Sequence, residues 1–155
     1  EIKAGNYKGI IFTGGPASVY AADAPKAPAG LFELGLPVLG ICYGAQYTAY
    51  SLGGVVSPAN KREYGKTEIM VETDSKLFTS VPKKTTCWMS HGDQITGLPE
   101  GFVISAKSDV RPVAAMENAG RKIYCVQFHP EACPGPQDSG YLFDRFIRMM
   151  RGEEK

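Results

Sequence analysis

No apolar run in this chain of 155 residues approaches the length of a membrane span, and no signal segment opens it. Both absences argue against a membrane protein and set the expectation of a cytoplasmic one. Net charge is nearly lacking too: at +1, there is no electrostatic case for nucleic acid or an anionic membrane as a partner. Cysteine is sparse. Cys42, Cys87, Cys125 and Cys133 lack the dense spacing of a disulfide scaffold, and a reducing compartment would keep a reactive thiol usable. Neither a Gly-Lys-Ser/Thr phosphate loop nor a Gly-x-Gly-x-x-Gly dinucleotide fingerprint occurs, and there is no internal repeat or low-complexity segment. What is there is ordinary for one globular domain, 43% hydrophobic and 21% charged, long enough to bury a core.

Short apolar runs bounded by glycine and proline predict strands over 9–12, 38–41, 86–90, 103–107, 113–117 and 123–128, with a partly exposed strand over 64–72. Helices are predicted over 29–34 and 45–52, with a helical turn at Leu77-Phe78. A last helix over 141–150 places Leu142, Phe143, Phe146, Ile147 and Met150 on one face. Asn118-Ala119-Gly120-Arg121 reads as a hairpin turn, and His91-Gly92-Asp93 as a loop after its strand. Strand-helix alternation in the first third implies an α/β fold: an open, mostly parallel but mixed sheet with helices on both faces. The first strand starts close to residue 1, which leaves little room for the earlier β-α-β unit usual in such folds.

The chain is organised around Gly40-Ile41-Cys42-Tyr43-Gly44-Ala45-Gln46. A buried strand ends at Cys42 and a helix begins just after it. Glycines on both sides allow a sharp, strained turn that lifts one side chain clear of the backbone. The positive end of the helix is expected to favour the thiolate, making Cys42 a nucleophile rather than a small buried hydrophobe. A second strand delivers His129 and Glu131 at its end, two residues apart around Pro130. Imidazole suits proton transfer to and from a thiol, and Glu131 would hold its tautomer and orientation. A third strand ends in Thr13-Gly14-Gly15-Pro16, where the N–H of Gly15 could join that of Tyr43 as an oxyanion hole. Cys125, His129 and Cys133 are spaced four apart, with Cys87 and His91 available to complete a zinc set. On a strand, however, residues four apart lie about 13 Å from one another, which opposes a metal site.

Three motifs in the same order, Gly9-Ile10-Ile11-Phe12-Thr13-Gly14-Gly15-Pro16, Leu39-Gly40-Ile41-Cys42-Tyr43-Gly44-Ala45-Gln46 and Gln127-Phe128-His129-Pro130-Glu131, resemble the class I (triad-type) glutamine amidotransferases. Within that family, Ser18-Val19-Tyr20, Arg62-Glu63-Tyr64-Gly65 and Trp88-Met89-Ser90-His91-Gly92-Asp93 look like the glutaminase domains of GMP synthases. The loop after Glu131, residues 132–139, looks more like the small subunit of carbamoyl phosphate synthetase. The resemblance implies a flavodoxin-like domain over 1–155 that hydrolyses L-glutamine through a cysteinyl thioester. Cys42, His129 and Glu131 would be catalytic, with Gly15 and Tyr43 as the oxyanion hole. Gln46, Ser90, His91, Gly92 and Asp93 would bind the glutamine or face a partner, and His91 is the competing choice of base. It implies no metal or cofactor in this domain. ATP and magnesium are expected in a partner synthetase, an ATP pyrophosphatase domain or subunit that would turn XMP into GMP with the ammonia. The resemblance also implies that the family's first strand and helix are missing from this chain, a segment of about 30 residues. A γ-glutamyl peptide hydrolase and a non-catalytic regulatory domain on the same scaffold are the other readings.

Overall fold

The computed structural model describes residues 1–72, 74–132 and 140–153, with the side chains of residues 61–63 outside the description. Cys133 of the zinc reading, and all of the 132–139 loop beyond Ala132, fall outside the described residues. In chain order the elements are β1 (Ile10–Phe12), β2 (Val38–Ile41), α1 (Tyr43–Ser51), β3 (Val55–Val71), β4 (Lys84–Gly97), β5 (Val103–Lys107), β6 (Ala115–Asn118), β7 (Ile123–Val126) and α2 (Tyr141–Arg151). Short 3-10 turns at Ala29–Glu33, Lys76–Phe78, Ala119–Arg121 and Pro130–Ala132 join them.

Among the described residues the strands form one seven-stranded sheet in the order β1-β2-β7-β6-β5-β3-β4. Strands β1, β2 and β7 are parallel, and the rest pair antiparallel. Every residue of β2 and β7 is buried, as expected of parallel strands covered on both faces. Helix α1 packs on one face with Val38, Ile123 and Cys125. Helix α2 lays Leu142 and Phe146 on the other, against Leu39, Tyr124 and Val126. The mixed sheet with helices on both faces is therefore as the sequence predicts, but it is not mostly parallel: parallel pairing is confined to β1-β2-β7, and the other four pairings are antiparallel because the later strands are joined by short connections and not by crossover helices.

Three elements differ most from the sequence reading. Helix α1 begins at Tyr43 rather than 45, because the carbonyl of Cys42 already accepts the N–H groups of Ala45 and Gln46. Strand β3 begins nine residues before 64, at Val55, continuing through Pro58 past a register shift between Pro58 and Glu63. Its partner β4 runs on through His91, Gly92 and Asp93, so those residues are strand and not loop. Alternation explains this last case: Cys87, Met89 and His91 all point inward, a period of two that a histidine and a glycine interrupt only in composition.

Among the described residues, the β3–β4 ribbon pairs with the rest of the sheet where Met70 and Val71 of β3 meet β5, with the N–H of Glu72 adding a bond to the carbonyl of Ser105. One end buries Val56 and Ile95 in the core under α1, and the other buries Ile69, Cys87 and Met89 in the core under α2. The ribbon thus passes from one face of the sheet to the other, with His91 and Asp93 at the crossing.

At the β2–α1 corner the glycines are needed for close approach. A Cβ on Gly44 would collide with the carbonyl of Phe12, and one on Gly40 would sit 2.8 Å from the carbonyl oxygen of Gly44. Without side chains there, β1, β2 and α1 meet backbone to backbone around Cys42.

Candidate active site

Cys42 adopts φ 52° and ψ −108°, a conformation that residues with a Cβ rarely take. Its N–H donates to the carbonyl of Val126 at 2.8 Å, pinning the corner to the end of β7. This is the strained turn that the bracketing glycines predict. The thiol is almost fully buried, and its proton is held more tightly than the sequence suggests. Burial pushes the Cys42 thiol up to about 11. The N–H of Tyr43 and the charge of Arg111 pull it down, Glu131 pushes it up, and the N–H of Gly15 pulls it down again. Helix and backbone donors are therefore present but do not outweigh desolvation, and the expected thiolate is corrected to a thiol. A base has to take its proton.

His129 stands three residues past the last residue of β7, directly after the buried Phe128. Its Nδ1 lies 2.8 Å from Oε1 of Glu131, which makes Nδ1 the protonated nitrogen and leaves Nε2 as the basic one. Its backbone N–H donates to the carbonyl of Trp88 on the ribbon at 2.8 Å. The two reactive side chains meet around Gly14. A Cβ built there would lie 2.7 Å from Cε1 of His129 and 3.5 Å from Cβ of Cys42. The N–H groups of Gly15 and Tyr43 lie near enough to the sulfur for both to lower its proton affinity, which puts the two candidate oxyanion donors on the same side of the site.

His91 sits in a different place. Its Nδ1 accepts the N–H of Asp93 at 2.9 Å, so Nε2 carries the proton and faces the carbonyls of Ala17 and Gly15 without closing a well-formed hydrogen bond to either. Burial lowers its proton affinity most, Asp93 and the carbonyl of Ala17 raise it, Arg111 lowers it and the carbonyl of Gly15 raises it. The imidazole is a neutral, buried group beside Gln46. Gln46 lies wholly buried on α1, with Nε2 3.2 Å from His91 Nδ1, 3.2 Å from the carbonyl of Asp93 and 3.1 Å from Oε1 of Gln127. Its own Oε1 has no partner among the described residues. Of the remaining predicted residues, Gly92 and Asp93 flank this cluster on β4, whereas Ser90 is exposed.

Three residues of this neighbourhood escape sequence reading. Arg111 is 1% exposed, and its guanidinium donates to the carbonyls of Asp93 at 2.8 Å and His91 at 2.5 Å. Nothing around Val110 and Pro112 marks it as buried. Gln127 is 1% exposed beside Cys42, and Trp88 supplies the carbonyl that holds His129. Gln127 does stand inside the His129 motif, which is the one signal that could have found it.

A cavity of about 270 Å³ opens against the Thr13–Ala17 turn, with Tyr43 and Tyr47 in its wall. Neither Cys42 nor His129 lines it, so cavity volume does not mark the reacting groups. Among the described residues, no cluster of metal-ligating side chains forms.

The buried thiols make stability fall in alkali. Cys42 is raised to about 11, and Cys125, wholly enclosed, is raised to about 12 from an ordinary value of 9.0. The folded state holds both protons more tightly than the unfolded chain. Their contribution is therefore complete below pH 9 and is lost as pH rises through the folded values. Denaturant melts across that range should show Cys125→Ala losing less stability than the parent. Parallel losses would show that thiol burial is not the cause.

A family model described as "Glutamine amidotransferase class-I" matches residues 1–149. The chain is 56% identical to a GMP synthase [glutamine-hydrolyzing] of Bacillus cytotoxicus over 131 residues, which are 84% of this chain and 26% of the relative. It is 54% identical to the Bacillus anthracis protein of the same name over 84% of the chain and 26% of that relative. The chain thus spans about a quarter of the length of the curated relatives it matches. Among solved structures, a protein from Thermoplasma acidophilum described as a "putative gmp synthase subunit a protein" superposes with TM-score 0.78 at 28% identity, covering 94% of this chain and 74% of that one. A glutamine amidotransferase from Thermotoga maritima superposes with TM-score 0.69 at 25% identity, covering 92% and 63%.

Proposed function

Because the chain belongs to the class I glutamine amidotransferase family, we propose that it splits the side-chain amide of L-glutamine into glutamate and ammonia and delivers the ammonia to a synthetase partner that makes GMP from XMP. The observation that carries this reading is the meeting of Cys42 and His129 around Gly14, with Glu131 bound to the far side of the ring.

The positions support the following steps. His129 Nε2 takes the thiol proton as Sγ of Cys42 attacks the amide carbon. The N–H groups of Gly15 and Tyr43 receive the negative oxygen that forms. His129 returns the proton to the departing nitrogen, and the C–N bond breaks to give ammonia and a γ-glutamyl thioester. Water, deprotonated by the same imidazole, then attacks the thioester and restores the thiol. Glu131 keeps the ring oriented and stabilises its charged form. His91 is the poorer base, because it has no carboxylate on its ring and its Nδ1 is already engaged. Gln46, His91 and the backbone at Gly92-Asp93 would hold the substrate's amino-acid end. Ammonia needs a consumer, and the partner would supply ATP and magnesium for activating XMP. The names of the Bacillus relatives support that acceptor.

A chloroketone analogue of glutamine tests the reading. It should label Cys42 stoichiometrically, glutamine should protect, and His129→Ala should slow the labelling by about 10²-fold or more. Faster turnover of a γ-glutamyl peptide than of glutamine would move the assignment to a peptide hydrolase. A folded protein that takes no label would make the domain non-catalytic.

A further inference from the structure

Sγ of Cys42 lies 3.7 Å from Nε2 of Gln127, a wholly buried side chain to which the mechanism above gives no part. A side-chain amide can present either end. Its NH2 donates and would stabilise a sulfur anion, whereas its carbonyl would oppose one. Surrounding groups decide between them. Nδ1 of His91 accepts from the N–H of Asp93, and the carbonyl of Asp93 accepts from Arg111. Both are acceptors that Gln46 also faces, so Gln46 must turn its NH2 towards them. With its NH2 on that side, Gln46 also faces the carbonyl oxygen of Gln127 at 3.1 Å. Gln127 is left with its own NH2 against the sulfur. The direction of donation is thus fixed from the ribbon to the nucleophile.

We propose that Gln127 is a further catalytic residue, which donates its side-chain N–H to the Cys42 thiolate once the proton has passed to His129, and that Gln46 is the positioning residue that keeps this amide from turning over. The inference rests on Cys42 being the nucleophile. It adds a side-chain donor to the N–H groups of Gly15 and Tyr43. Hydrogen bonds to a charged partner are stronger than neutral ones, and a buried sulfur anion has little water to replace a missing donor.

Iodoacetamide tests this, because it is small and needs no glutamine subsite. Gln127→Met keeps the side-chain volume and removes the donor. Its Cys42 should alkylate about tenfold more slowly at fixed pH, with the pH profile displaced upward. Glutamine turnover should lose kcat with KM nearly unchanged. A folded Gln127→Met with the parent's alkylation profile would overturn the inference while leaving the glutaminase reading intact, provided the glutamine chloroketone still labels. A Cys42 inert to both reagents in the parent would remove both. Should Gln127→Met not fold, the parent decides: the Gln127 side-chain amide protons, followed by NMR, should shift as Cys42 titrates, and indifference to that titration would refute it.

Discussion

Neither Cys42→Ala nor Cys42→Gly will hydrolyse glutamine, and the glycine variant will be the more stable of the two. The loss of turnover should be on the order of 10⁴-fold or greater, as for other enzymes stripped of a nucleophile that works as one unit with its base. The stability order is the less ordinary part. Alanine normally exceeds glycine, because it loses less backbone freedom on folding. At φ 52° and ψ −108° a Cβ is strained, at a cost on the order of 1–3 kcal/mol, and glycine is relieved of it. Both variants lack the thiol, so their comparison cancels its packing. Equilibrium unfolding of the two side by side reads the difference. An alanine variant as stable as the glycine variant would mean that the corner stores no strain, and more than about a per cent of residual turnover would remove Cys42 from the chemistry.

Gly14→Ala should disable the site with the fold left standing. The added methyl would come within 2.7 Å of the His129 ring, too close for any real pair, and within 3.5 Å of Cβ of Cys42. Of these two neighbours only the imidazole can give way. Its side chain is 19% exposed, whereas the strand behind Cys42 is buried in the sheet. Swinging outward takes Nε2 from the thiol, and displacements near 1 Å cost on the order of 10²-fold in rate. The expected result is a fall in kcat of roughly 10²–10³-fold, with a melting temperature close to the parent's. Gly15→Ala provides the contrast. The nearest atom to its new methyl is 4.0 Å away, so the side chain has room. Equal losses in the two variants, or a collapsed melt for Gly14→Ala alone, would show that the methyl acts through the backbone and not through the ring.

The parts of this molecule legible in its sequence are those encoded by neighbours along the chain. Glycines at 40 and 44 announce the corner at Cys42, since only residues without a Cβ let three backbones touch there. An apolar strand running into His129-Pro130-Glu131 announces the base and its carboxylate, because two residues of separation suffice for the ring to meet the acid. The state of the thiol is not legible in the same way, because helix polarity is local, while desolvation is the work of the entire fold around it. Residues 91–93 mislead for a related reason. Glycine and aspartate suggest a loop, yet the pairing of Glu63 with His91 and Pro58 with Asp93 holds them in a strand. Arg111 cannot be read at all. Its burial depends on two carbonyls some twenty residues away, and no pattern near position 111 records them.

The β3–β4 ribbon contributes no reacting atom, yet it is linked to both reactants. Through the carbonyl of Trp88 it holds the main chain of His129, and through His91 and Asp93 it holds the amides that lead to Cys42. The gap between sulfur and imidazole is therefore gauged by a bystander, like the spacing of two rails by the tie beneath them. Sequence drift along that ribbon, far in the chain from either residue, would retune the chemistry without altering any group that performs it.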